Sequence, residues 1–286
     1  PADKAVVVVN EDYKWGPGSA KHEGRAYLNK ITFQIVPDPT VRLGSLQSGQ
    51  FQAIGNVPEI NAKQVEQDPN LTFYAISQSG APFQYHFNSA SPRVPLSDPK
   101  LREAIRTGFN IESAVSTLYL GVYKRAWGPL SPSTGAYDKS VENSFKYDKD
   151  AAKKMLDDAG YKVGSDGIRE KDGVKLKLIL GEGTPNREKR QDIAEFFKAD
   201  MKEIGIDVEI KLMQTAEATA AGQNGDLDIT TLSLVQIDPN VVYSMYDPKF
   251  IPKPGFNGFN LSRTNNAALT AKLLEAQQES DDSKRD

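Results

Sequence analysis

Residues 175–212 read KLKLILGEGTPNREKRQDIAEFFKADMKEIGIDVEIKL. At the start, Leu176, Leu178 and Leu180 alternate with Lys175, Lys177 and Ile179, the period of two expected of a strand with one face on a core. Ile193, Phe196, Phe197, Met201 and Ile204 then recur at helical spacing and mark one apolar face. At the end, Ile206, Val208, Ile210 and Leu212 alternate with Asp207, Glu209 and Lys211. Strand, helix and strand in this order predict a βαβ unit whose two strands run parallel through a right-handed crossover. The fold class is therefore α/β, with a parallel or mixed sheet and helices on its faces.

The pattern continues on both sides. An Ala-rich helix from Thr215 and a strand from Leu227 to Val235 follow, then an apolar helical stretch at Val241 to Tyr246 and a helix over 265–278 that shows little to pack against. Upstream, Asp148 is placed to cap a helix that Gly160 ends, with Ala152, Met155 and Leu156 inward. Asp98-Pro99 and Asp38-Pro39 each pair an N-cap with a proline in the first turn. Leu101, Ile105 and Phe109, then Ile111, Val115, Leu118 and Tyr119, predict two consecutive helices around Gly108 to Asn110. Strands are predicted at Ala5 to Val9, 31–35, 51–54, 71–76 and 83–87, and a helix after Pro58. Residues 121–147 are rich in Pro, Gly, Ser and aromatic residues without a period, which predicts a long surface segment.

Composition narrows the chemistry. With 35 basic and 38 acidic side chains in 286 residues the net charge is −3, against the basic excess of a nucleic-acid binder. The longest aliphatic run, Ala5 to Val9, is far short of a membrane span. There is no cysteine, so disulfides, thiol nucleophiles and thiolate zinc sites are excluded, and His22 and His86 are the only histidines. Carboxylates are plentiful, and a pair such as Asp226 and Asp228 suggests an acid and a base, but the same spacing suits a turn and a solvated strand face. No phosphate-binding loop occurs, and Gly181-Glu182-Gly183 lacks the remaining glycines of a dinucleotide fingerprint. The residues therefore read as those of a poor enzyme, and no cofactor is expected.

In open α/β sheets, ligands sit beyond the carboxyl ends of the strands. Two connections qualify. Gly181 to Arg187 offers backbone amides with the side chains of Thr184 and Asn186 to a carboxylate or carbonyl, the alternative being a plain β-to-α connection. Gln236 to Asn240 follows a strand and precedes a helix, so Gln236 and Asp238 are candidates, with capping as the other role of Asp238. Tyr85 and Trp127 are candidate ring contacts, and Trp127 has no packing partner that the sequence identifies. The cations of 187–190 are assigned to the solvated first turn of a helix.

Short segments in a characteristic order complete the reading. They include Asn10-Glu11-Asp12-Tyr13-Lys14-Trp15, Tyr27 to Phe33, Pro37-Asp38-Pro39-Thr40-Val41-Arg42, Leu46 to Gly49, Phe87-Asn88 and Leu96 to Ile105. Gly128-Pro129-Leu130, Tyr147 to Leu156, Ala159-Gly160-Tyr161, Ile204 to Val208 and Asp226-Leu227-Asp228 follow. On these the chain resembles the extracytoplasmic solute-binding proteins of ABC importers, in the peptide/nickel-binding family 5.

The resemblance implies a two-lobed periplasmic-binding-protein type II fold that closes on its ligand by hinge motion. It implies mostly the second lobe plus part of the first: residues 1–84 the later part of lobe I, and 85–286 most of lobe II, without the C-terminal return segment. The implied role is capture of di- or oligopeptides between the lobes for delivery to ABC permease subunits with their ATPases. The implied protein is a monomer in the periplasm or another extracytoplasmic space, anchored through an N-terminal lipoprotein segment that precedes this sequence. An oligosaccharide, an opine-like solute or a nickel complex is the alternative cargo, and a carboxylate-based hydrolase or a chaperone-like binder the alternative class. Peptide binders of the family often carry an acid a few positions before the Asp-Pro pair, to hold the peptide's amine. Here Val235, Gln236 and Ile237 precede Asp238.

Overall fold

The computed structural model describes residues 3–16, 18, 19 and 21–285. The chain divides into two compact units, Pro1–Phe73 and Tyr74–Asp286.

In the first unit, β1 (Lys4–Val8) and β2 (Lys30–Gln34) pair antiparallel, with Val6 opposite Thr32. Both strands are exposed along their whole length. Helix α1 (Pro39–Gln47) starts as the Asp-Pro signature predicts: Asp38 accepts a hydrogen bond from the Val41 amide at 2.8 Å and Pro39 opens the first turn. Helix α2 (Ala62–Gln67) buries Ala62 and Val65. Arg42 ties the unit together by donating to the carbonyls of Val36, Pro37 and Asn56. The strands predicted at 51–54 and 71–76 do not form. Apolar residues are present there, but a strand needs a neighbour for its amides and carbonyls, and no segment among the described residues pairs with either.

The second unit is built on a four-stranded mixed sheet. Its strands are β3 (Gly80–Phe87), β7 (Lys177–Thr184), β8 (Asp207–Gln214) and β9 (Ile229–Val235), in the order β3-β9-β7-β8. The strands β7 and β8 are parallel in the register Leu178↔Val208, as the βαβ pattern predicts. The β9 strand joins β7 in parallel, and β3 pairs antiparallel with β9. A small antiparallel sheet of β4 (Lys162–Val163), β5 (Arg169–Lys171) and β6 (Val174–Lys175) precedes β7.

Helices cover both faces of the large sheet. On one face lie α3 (Pro99–Gly108), α4 (Ile111–Tyr119), α5 (Lys149–Asp158) and α6 (Arg190–Glu203). Their buried residues Leu101, Ile105, Leu156, Phe197 and Met201 form one core with Leu178, Leu180, Val208 and Ile229 of the strands. Full burial of each such side chain contributes about 1.5–3 kcal/mol, which makes this cluster the main source of the unit's stability. Asp98, Asn110 and Asp148 cap α3, α4 and α5 through the amides of Lys100, Ser113 and Ala151.

The opposite face carries α7 (Thr215–Asn224) and α8 (Val241–Tyr246). Little room is left on this face of β7: a Cβ on Gly181 would stand 2.3 Å from Leu227 Cδ1, in the connection between α7 and β9, and one on Gly183 3.1 Å from Thr215 Oγ1 at the start of α7. Helix α8 packs with Ala81, Leu130 and Leu234 in a second, smaller core. Helix α9 (Ala267–Gln278) buries no residue completely, in line with its sequence, and meets α8 where Gln277 donates to Asn240 Oδ1 at 2.9 Å. A last turn, α10 (Asp282–Arg285), follows.

Candidate functional site

The β7, β8 and β9 strands end on one edge of the sheet, at Thr184, Gln214 and Val235, and antiparallel β3 begins there at Gly80. This is the carboxyl-end edge where α/β sheets hold ligands. Four of the six candidate residues, Thr184, Asn186, Gln236 and Asp238, lie on it or in the connections leaving it.

Gly181, Glu182, Gly183 and Thr184 are not a loop, as the sequence suggests, but the last four residues of β7, paired with Lys211 to Gln214. Gly181 makes room for Leu227 and Gly183 for Thr215 at the start of α7, and both lie in a paired strand, so they form no loop that could cradle an anion. Thr184 donates to the Met213 carbonyl at 3.1 Å, and Thr215 donates back to the Thr184 carbonyl at 3.1 Å, which fastens β7 to the end of β8. Asn186 accepts from the Gln191 amide at 3.0 Å and donates to Asp192 at 2.6 Å, holding the start of α6.

Gln236 continues from β9 with its amide on the Ser79 carbonyl. Asp238 accepts from the Asn240 amide at 2.8 Å, a turn before α8, while the N-cap position itself falls on Asn240. Val235 and Ile237 are 70% and 86% exposed, an apolar lip on the edge. The long segment 121–147 reaches the same edge, because Ser131 and Thr134 hydrogen bond to Gln78 and Gly80 at the start of β3.

The two aromatic candidates are not open rings. Trp127 stacks under Arg125 at 3.8 Å and meets the Phe145 ring edge-on at 5.5 Å, and Arg106 covers Phe145 at 4.4 Å. Tyr85 packs in the main core between Phe83, Phe109 and Phe197, and burial raises its hydroxyl well above the ordinary value. Its hydroxyl oxygen is buried without a hydrogen-bond partner.

Two residues at the edge escaped the sequence reading. Glu182 is 1% exposed, and burial pushes its carboxyl up to about 7 against the pull of Arg190 and hydrogen bonds from Thr231 and Gly183. The signal was there: Glu182 falls in phase with Leu178 and Leu180, on the core side of the strand. Arg190, assigned to a solvated turn, has a side chain only 12% exposed. It donates to Glu188 at 2.6 and 3.0 Å and to Ser233 at 2.8 Å, and lies over the Phe83 ring at 4.6 Å. Spacing alone does not distinguish such a cation from Arg187, which is exposed.

The acid and base pair does not survive the fold. Asp228 is fully buried and accepts from Ser91 at 2.5 Å, from Arg93 at 3.0 and 3.2 Å and from the Ile179 amide at 2.8 Å. Its oxygens hold the entry of β9 to β7 and face no solvent, while Asp226 is exposed. Among the described residues no three His, Asp or Glu side chains are grouped to hold a metal ion, and no helix is long and apolar enough to cross a membrane.

Residues 1–251 match the model of the bacterial extracellular solute-binding proteins, family 5 middle. The chain is 32% identical over 208 residues to the oligopeptide-binding protein AppA of Bacillus subtilis, covering 72% of this chain and 36% of that protein. It is 31% identical over 220 residues to the nickel-binding periplasmic protein of Escherichia coli, covering 72% and 38%. A solved structure of AppA from Bacillus subtilis in complex with a nonapeptide superposes with a TM-score of 0.75 at 27% identity, over 92% of this chain and 51% of that one. The matched segments thus span 36% and 38% of the length of these curated relatives. The match over most of the chain, with the mixed sheet and helix-covered faces above, leads to one statement: this chain belongs to the family 5 bacterial extracellular solute-binding proteins.

Proposed function

We propose that the full protein captures peptides at the carboxyl-end edge of the four-stranded sheet and hands them to the permease of an ABC importer. The observation that carries this reading is the 32% identity to an oligopeptide-binding protein over 72% of this chain. In this reading residues 1–84 supply the later part of the first lobe and residues 85–286 most of the second. Thr184, Asn186, Gln236 and Asp238 border the cargo, and Tyr85 and Trp127 act from behind as packing that shapes the edge. The protein works as a monomer outside the cytoplasm, held near its permease by a lipid anchor, and without turnover of its cargo.

The edge favours some peptides over others. Val235 and Ile237 present apolar surface where a carboxylate would grip a free amine, and Asp238 already accepts from the Asn240 amide. Cargo is therefore held through its backbone and apolar side chains more than through its amino terminus. A nickel complex is the second reading, favoured by the 31% identity to a nickel-binding relative.

Thermal unfolding of the full protein against di- to pentapeptides, opines, oligosaccharides and nickel separates these readings, because a ligand of the native state raises the midpoint. A rise with peptides supports the proposal. A rise confined to another class, or none at all, refutes it.

A further inference from the structure

Glu182 stands in a row of side chains that crosses three strands. Tyr85 of β3 is the register partner of Thr231 of β9, and the Gly181↔Thr230 pairing places Glu182 of β7 beside Thr231 on the same sheet face. From β8 the partner is Leu212, which carries no charge. The titratable and charged groups facing this row are Tyr85 itself, Tyr119 at the end of α4 and Arg190 of α6, and His86 points to the opposite face. One oxygen of Glu182 and the hydroxyl of Tyr85 are both buried without a hydrogen-bond partner. Such groups are rare in folded proteins and call for a reason.

Arg190 links this row to the loop above it. Its guanidinium is attracted to Glu182 on one side and bonded to Glu188 and Ser233 on the other. The loop is strained: Glu188 and Lys189 both have φ of 55°, a left-handed conformation that non-glycine residues seldom adopt, and here two in succession. It is held by the Arg190–Glu188 pair, by Tyr119 Oη donating to the Glu188 carbonyl at 2.7 Å and by Lys189 Nζ donating to the Leu118 carbonyl at 2.6 Å. Strain of this kind persists only where the surroundings impose it, and is released when one restraint weakens.

We propose that Glu182 is a positioning residue for the loop 185–190, sharing Arg190 with Glu188, so that loss of the Glu182 proton draws Arg190 inward, loosens the loop and weakens cargo binding. The binding half of this inference rests on the solute-binding reading above. With Glu182 protonated, Glu188 and Ser233 keep Arg190 to themselves and the loop stays in its strained form. With Glu182 ionised, a buried negative charge competes for the same guanidinium.

The test is hydrogen exchange of the full protein at about pH 5.5 and about pH 8.5, corrected for intrinsic exchange and read at the amides of 186–191. In the wild type these amides lose protection several-fold at the higher pH. Glu182→Gln, which keeps the shape and removes the titration, abolishes the step and stays protected. Glu188→Gln, which frees Arg190 from the loop, gives low protection at both values. A flat wild-type profile, or a step that persists in Glu182→Gln, overturns the proposal. A tetrapeptide probe titrated at the same two values separates the two readings. Affinity that falls several-fold with pH in the wild type and not in Glu182→Gln supports the coupling, and affinity independent of pH overturns it. No peptide binding, with the exchange step intact, refutes peptide cargo and supports the coupling within the loop.

Discussion

Removing the Asp228 carboxylate destabilises the protein by about 3 kcal/mol, more than any exposed charge in the chain can contribute. Four donors converge on this residue: Ser91 Oγ, two atoms of Arg93 and the Ile179 amide. In Asp228→Ala the Ile179 amide loses its acceptor in the middle of the sheet, which costs about 1–3 kcal/mol for a buried donor. Arg93 is 36% exposed and keeps the Asp226 carbonyl at 2.9 Å, so its share is discounted for solvent and is about 1 kcal/mol or less. Ser91 can turn to other partners and adds little. Asp228→Asn retains an acceptor for Ile179 and loses only the charge, so its cost is about 1–2 kcal/mol. Urea unfolding followed by circular dichroism measures both, and the midpoint falls in the order wild type, Asn, Ala with an unchanged slope. An alanine variant within about 0.5 kcal/mol of wild type would refute the reasoning.

Other perturbations probe separate parts of the account. Glu182 holds its proton to about 7 in the fold against an ordinary 4.5 in the unfolded chain. Its contribution is full below 4.5, falls as pH rises through that interval and is gone above about 7, a loss of about 3 kcal/mol at about 1.4 kcal/mol per pH unit. Stability measured across this range declines with pH in the wild type and is flat at this step in Glu182→Gln. Gly181→Ala drives a methyl into Leu227 and costs about 1–3 kcal/mol, read by thermal unfolding. Gly44→Ala, on the exposed side of α1 with no atom within 4 Å of the new methyl, stabilises by about 0.5–1 kcal/mol in the same assay. Phe197→Ala, deep in the main core between Tyr85 and Phe109, costs about 3–5 kcal/mol.

The sheet was legible because its signals are local and redundant. Alternating leucines in β7, an apolar helical face in α6 and alternating residues in β8 each carry a period, and their order permits few topologies. Caps were equally plain, since Asp38, Asp98 and Asp148 act within three residues of themselves. What failed depends on distant partners. Apolar residues at 51–54 and 71–76 find no pairing strand among the described residues, and glycines that suggest a loop at 181–183 instead admit Leu227 and Thr215 against β7. Asp228 resembles a surface acid until Ser91, Arg93 and Ile179 arrive from other parts of the chain. Trp127 lacks a visible partner in sequence, yet Arg125, two residues away, covers it, and Phe145 closes the stack. At the candidate site, position along the edge was predictable from strand ends, whereas the burial of Arg190 and Glu182 is set by tertiary packing.

The most direct test of the central claim, that cargo lies at the carboxyl-end edge of the large sheet, is hydrogen exchange of the full protein with and without a saturating tetrapeptide. Protection gained at 184–190 and 234–240 is the predicted result. Protection gained instead at the opposite end of the same strands, around 91–98, with those two segments unchanged, would contradict it.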